Sequence, residues 1–421
     1  MAGEITLTVT LNRPAYLEMP GPQQAFILLE ALPAASAPGV AQPVNFSLVL
    51  DRSGSMAGEK LRNMQAAAKW VIDRLGPQDM LSIVSFDERA DQIVPARPVT
   101  DRDAIKHEID RIQERGGTKM SAGMESGLKQ LQVGLSPGRV SRMLLLTDGQ
   151  TWEDGLECEA LADQARVMGV PLSVLGLGVG AQGDWDPRFL ENLAQRSGGE
   201  WHVIDTPEKI GAVFEKTLSA MQSCAVSNVH LTLRLAAEVK PRNVWRVTPL
   251  ISKLDHRSVT ERDTQVFLGD IQHGVGQSLL ADVLLPPRKA GAYRLIQADA
   301  AYDVPAVNLA GQKAAADIII TYTTEAALAD QLNPRLMNII ERVQAHKLQT
   351  QALDEAAAGQ KQNATRRLRA AATRLLELGE PEMAQSALNH AQQLEQGGPV
   401  DPAEAQRLRY QTKRLTEDMP S

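Results

Sequence analysis

Between residues 44 and 221, short apolar runs alternate with amphipathic stretches. FSLVL is followed by EKLRNMQAAAKWVIDRL, then MLSIVSF, and later by RMLLLT, PLSVLGLGV and EWHVI, with helical spacing between them. The runs show little apolar–polar alternation, as strands covered on both faces require, so a mainly parallel sheet between two helical layers is predicted. The proline-bearing ADQIVPARPV suits an edge strand, because proline removes a ladder donor.

The rhythm changes on both flanks. EITLTVTLNRPAYL and QAFILLEAL precede this region, while residues 225 to 325 contain VHLTLRL, TQVFLGDI, SLLADVLLP, AYRLIQADAAY and DIIITYT, which read as antiparallel strands. Two N-terminal strands alone cannot bury a core. The expectation is therefore a β-sandwich assembled from both flanks with the α/β unit inserted through PAASAPGVAQP; two separate β units are the alternative. From Thr324 the pattern is helical, with Gly359, Gly379 and Gly397 at helix stops and Pro381 at a start, predicting an antiparallel helical hairpin. The closing LRYQTKRL segment reads as an amphipathic helix, either solvated or a partner surface. The expected divisions are 1–43, 44–221, 222–324 and 325–421.

Length supports several units, since 421 residues exceed what one core usually holds. The 43% hydrophobic and 23% charged content is that of a globular chain, and a net charge of −7 argues against general nucleic-acid binding, which needs clustered cations. The N-terminal residues carry no secretory pattern and no stretch is apolar enough to span a bilayer, so a cytoplasmic protein is expected. Cys158 and Cys224 lie outside any CxxC spacing and no HExxH occurs, which removes thiolate zinc sites and the common zinc-hydrolase signature.

The candidate chemistry lies at strand ends. FSLVL-DRSGSM places Asp51, Ser53 and Ser55 just after a buried run, where an open α/β sheet binds its ligands. Alone, DxSxS also makes ordinary turns and helix caps. RGGT-KMSAGM adds Thr118 at a glycine-rich helix entry, and RMLLLT-DGQ adds Asp148 after another buried run.

With these segments the chain resembles the von Willebrand factor type A (VWA) family, whose metal ion-dependent adhesion site (MIDAS) uses DxSxS, a later Thr and a later Asp. All five positions are filled. More loosely, the outer chain resembles bacterial multidomain proteins that embed this domain among β-sandwich strands. The resemblance implies a doubly wound α/β fold in which Ser53 and Ser55 coordinate a metal directly and Thr118, Asp51 and Asp148 do so directly or through water. One position is left for a partner. Hard oxygen donors suit Mg²⁺, with Mn²⁺ or Ca²⁺ as alternatives. Arg52, Met56, Asp87 to Arg89, Lys119, Gln150 to Trp152 and Asp184 to Asp186 should form the rim. Arg52 and Lys119 either pair with the ligand's anion or are solvated; Trp152 and Trp185 are either contacts or lids.

The function expected is noncatalytic, Mg²⁺-dependent binding of a phosphorylated Ser or Thr, or of an Asp or Glu, on a partner protein in signalling or complex assembly. A metal-dependent hydrolase is one alternative, with Glu153 and Asp154 as general bases or merely helix-start charges. No GxxxxGK[ST] or GxSxG accompanies them, so no enzyme is expected. A scaffold using the sandwich and C-terminal helices is the other alternative.

Overall fold

The continuous apolar runs form one six-stranded sheet in the computed structural model, which describes residues 4–34, 42–148, 153–177, 187–204, 206–254, 257–258, 260, 262–396 and 402–416. Its order is Ala90–Pro98, Met80–Phe86, Val44–Asp51, Val140–Thr147, Leu172–Leu177, Glu200–Ile204. Every pairing is parallel except that of the edge strand Ala90–Pro98. Val44–Asp51 is buried along its whole length because it meets a core on each face. Phe46, Leu48 and Leu50 pack with helices Glu59–Arg74 and Ile210–Gln222, whereas Val49, with Phe86 and Met143, packs against Met120–Gly134 and Gly155–Val167. Helix Met120–Gly134 approaches the sheet closely at Gly127, where an added Cβ would lie 2.6 Å from Val49 Cγ2. Glycine is what lets this helix seat.

The flanking strands form two antiparallel sheets around one further core. Ile5–Leu11 pairs with Gln23–Pro33, which pairs in turn with Gln277–Leu285 from beyond the α/β unit; Lys240–Thr248 and Ser252–Leu254 complete that sheet. The second sheet holds Cys224–Leu235, Asp263–Gln272, Gly291–Val304 and Leu309–Thr323, with the short strands Arg257–Ser258 and Tyr16–Leu17 at its edges. Ile27, Leu29 and Leu279 from the first sheet share a core with Leu231, Val266, Ile296 and Ile318 from the second. The N-terminal strands therefore join both sheets of a sandwich and do not stand as a unit of their own.

The sandwich meets the α/β unit at the start of its parallel strands. Arg142, early in Val140–Thr147, reaches Asp270 of the sandwich at 2.8 Å, and both side chains are under a tenth exposed. The carboxyl ends of the parallel strands point away from this junction. Entry and exit of the inserted unit lie together, with Gln42 N donating to Gln222 O at 3.0 Å.

Helices Pro334–Ala357, Lys361–Glu377 and Pro381–Glu395 cover the outer face of the first sheet, packing Leu336, Ile340 and Leu368 against Leu28, Val247 and Leu280. Gly359 and Gly379 take the positive φ of helix-ending positions, 79° and 78°, and Pro381 begins the third helix; Gly397 lies outside the described residues. The final helix, Pro402–Lys413, docks on the rest of the chain through one face and does not stand free in solvent. Leu408 and Thr412 are buried, Thr412 Oγ1 meets His346 Nδ1 at 3.0 Å, and Lys413 pairs with Glu191 of the α/β unit.

Burial, reinforced by Lys413 and Arg409, pushes the His346 imidazole down to about 3. An unfolded histidine protonates near pH 6.5, roughly, so as pH falls below that value the unfolded state gains a proton that the folded state refuses, and stability drops. His346→Gln should therefore lose less of its urea midpoint than wild type between about pH 7.5 and 5. Parallel losses in the two proteins would refute this assignment.

Candidate metal centre at the carboxyl edge of the sheet

Three loops converge where the sheet changes winding direction, between Val44–Asp51 and Val140–Thr147. Asp51 closes the first strand, fully buried; its Oδ1 accepts from Ser53 N at 2.8 Å and its Oδ2 from Thr147 Oγ1 at 2.6 Å. Ser53 Oγ lies 3.1 Å from Ser55 Oγ, and Ser55 Oγ donates to Asp148 Oδ1 at 2.6 Å. Four of the five expected ligands are thus linked by short hydrogen bonds. Thr118 sits half-buried on the third loop, which is pinned by Gly54 N to Gly116 O at 3.2 Å and Lys119 N to Asp87 O at 2.7 Å. Among the described residues its hydroxyl makes no hydrogen bond to the other four.

Electrostatics favour a cation here. Burial pushes the Asp51 carboxyl up to about 6, with a smaller push from Asp148, against the hydrogen bonds from Thr147 and Ser53 that hold it down. A positive charge between the loops would offset both the desolvation and the repulsion. The ammonium of Lys60 already answers part of that need: it pairs with Asp148 Oδ2 and donates to Ser55 O at 3.2 Å. The donors are hydroxyl and carboxylate oxygens, which fit a hard divalent ion. Among the described residues no group of three or more His, Cys, Asp and Glu side chains could hold a metal, so two aspartates with hydroxyls form the candidate set.

The rim differs from expectation. Arg52 does not reach outward: only 7% exposed, it donates through Nε to Asp87 Oδ2 at 2.9 Å and pairs with Asp91. A buried guanidinium needs carboxylate partners, which Asp87 in the loop after Met80–Phe86 and Asp91 in the edge strand Ala90–Pro98 supply. Asp87 also accepts from Arg115 Nε and Arg89 N, each at 2.9 Å; burial works to raise its pKa, yet these bonds hold the carboxyl below its usual range. Met56 likewise turns into the core and is fully buried. Lys119 is exposed at the site's edge. Trp152, Trp185, Gln150 and Asp184 to Asp186 lie outside the described residues.

Two roles that the sequence did not show complete the picture, those of Lys60 and Asp154. Lys60 stands at the start of helix Glu59–Arg74, five positions past Ser55, where nothing local marks it as a site residue. Asp154, a candidate general base, accepts Ser121 N at 2.6 Å and so caps helix Met120–Gly134 just past Thr118. A carboxylate at a helix N-terminus is common, but nothing in the sequence said which helix it would cap.

Comparison with known proteins adds three findings. The family model for the von Willebrand factor type A domain matches residues 45–216, and that for the Sll0103-like C-terminal alpha-helical domain matches 334–418. Uncharacterized protein sll0103 of Synechocystis is 32% identical over 270 residues, 63% of this chain and 62% of that protein; uncharacterized protein YfbK of Escherichia coli is 26% identical over 256 residues, 60% of this chain and 43% of that protein. The chain thus spans less than two thirds of either relative. The structure of a von Willebrand factor type A protein from Catenulispora acidiphila superposes with a TM-score of 0.78 over 98% of this chain and 97% of its own, at 19% identity, a likeness of fold. Type A domains are commonly protein-interaction or adhesion modules, typically non-enzymatic, and often bind a divalent metal.

Proposed function

We propose that this chain, a von Willebrand factor type A domain protein ending in an Sll0103-like helical domain, is a noncatalytic docking protein that captures an acidic group of a partner protein through a divalent metal. The observation that carries the reading is the hydrogen-bonded set Asp51, Ser53, Ser55 and Asp148, drawn to one sheet edge together with the loop of Thr118. Mg²⁺ is the ion we assign, held by these five residues. When bound, it supplies an electrophilic point at which an anionic oxygen completes the coordination shell.

The chain's own residues prepare that point. Asp51 organises the loop through Ser53 N and Thr147, Asp87 ties Arg52 and Arg115 into a rigid wall, and Asp154 fixes the helix that follows Thr118. Lys119, exposed at the edge, and Lys60, which already pairs with Asp148, are the lysines placed to meet a phosphorylated Ser or Thr, or an Asp or Glu. We read its setting as intracellular signalling or complex assembly. The occupation of Asp154 as a helix cap also weighs against its use as a general base.

The test is binding of matched phosphorylated, Asp/Glu-bearing and neutral peptides to the full chain in Mg²⁺ or in EDTA. Acidic peptides should bind in Mg²⁺ only. Equal binding by all peptides in both buffers would overturn the proposal.

A further inference from the structure

A cavity of about 510 Å³ lies where the α/β unit, the sandwich and the C-terminal helices meet. Arg188 and Glu191 reach it from helix Pro187–Ser197, Trp245 and Lys253 from the first sandwich sheet, and Lys347 from helix Pro334–Ala357. Arg409, Lys413 and Asp354 complete its charges. Among the described residues, five cations therefore face two carboxylates. The ion pairs do not balance this excess: Asp354 is shared by Arg409 and, at 3.7 Å, Arg188, while Glu191 is taken by Lys413. Lys253 and Lys347 have no carboxylate partner among the described residues.

Like charges converging from three parts of a chain repel one another across a low-dielectric cleft, and a bound anion would reverse the sign of that term. Neutral groups line the same space and can add hydrogen bonds: Asn192 and Gln195 from helix Pro187–Ser197, and Asn243 and Ser252 from the first sandwich sheet. The volume falls within the range of about 300–1,000 Å³ in which proteins hold small organic ligands.

We infer that this junction is a binding site for a small soluble polyanion bearing two or more phosphate groups, separate from the metal centre and independent of the function proposed for it. Such a ligand would link Lys253 of the sandwich, Lys347 of the helices and Arg188 of the α/β unit, and so tie the three parts together. Binding to the assembled arrangement alone would also raise its stability by mass action.

Calorimetric titration of the full chain with sodium tripolyphosphate and with ATP, in EDTA so that metal plays no part, tests this. Both should bind, and Lys253→Glu with Lys347→Glu should weaken each by about tenfold or more, or about 1.4 kcal/mol. Asp148→Ala should change neither. Failure of both probes to bind wild type, indifference to the double reversal, or loss of binding in Asp148→Ala would each overturn the inference. Thermal melts without ligand check that the reversed variant is folded; if it is not, Lys253→Gln with Lys347→Gln serves and should show the weakening in smaller degree.

Discussion

Asp51→Asn should leave the protein at least as stable as wild type in EDTA, yet weaken Mn²⁺ binding by on the order of 100-fold, about 2.7 kcal/mol. The two halves of this result have one cause. The Asp51 carboxylate is fully buried, disfavoured first by desolvation and further by Asp148. An amide removes that charge and keeps the geometry: its oxygen accepts from Ser53 N, and Thr147 Oγ1 turns from donor to acceptor. A divalent ion, in contrast, loses a counter-charge at roughly 4 Å, worth several kcal/mol even at an effective dielectric of about 20. Thermal melts with and without Mn²⁺ should therefore cross, wild type melting higher in metal and the variant equal or higher without it. A variant less stable than wild type in EDTA, with undiminished Mn²⁺ binding, would remove Asp51 from the metal set.

The second large effect lies at the other end of the sheet. Asp270→Ala strips the carboxylate from Arg142, which is 8% exposed at the side chain, and an uncompensated buried charge typically costs about 3–5 kcal/mol. Arg142→Met with Asp270→Leu should recover most of that loss, because an apolar pair of similar volume avoids desolvation altogether. Urea unfolding of wild type, Asp270→Ala and the double variant reads the difference. Equal destabilisation by the single and double variants would mean that packing, and not charge, joins the α/β unit to the sandwich here.

The α/β unit was legible because both faces of its sheet are covered, which forces unbroken apolar strands such as FSLVL and RMLLLT. The three site loops were legible for a related reason: strand ends and a glycine-rich helix entry announce themselves locally. What escaped is nonlocal. Whether Arg52 faces solvent depends on carboxylates 35 and 39 positions away, and Asp154 caps a helix 33 residues earlier in the chain. The last helix read as optional because its apolar stripe is thin; Thr412 and Thr416 dock it through hydrogen bonds to His346 and Val247 O. Polar docking leaves no periodic trace.

Strand Val44–Asp51 begins beside the chain's entry from the sandwich and ends on Asp51, the first of the proposed metal ligands, while the exit at Gln222 lies next to the entry. A partner pulling on the site would thus load this strand along its own axis. The hydrogen-bond ladders to Met80–Phe86 and Val140–Thr147 would then resist together in shear, the geometry in which a sheet resists mechanical force best, and the pull would pass straight into the sandwich without peeling any single bond first.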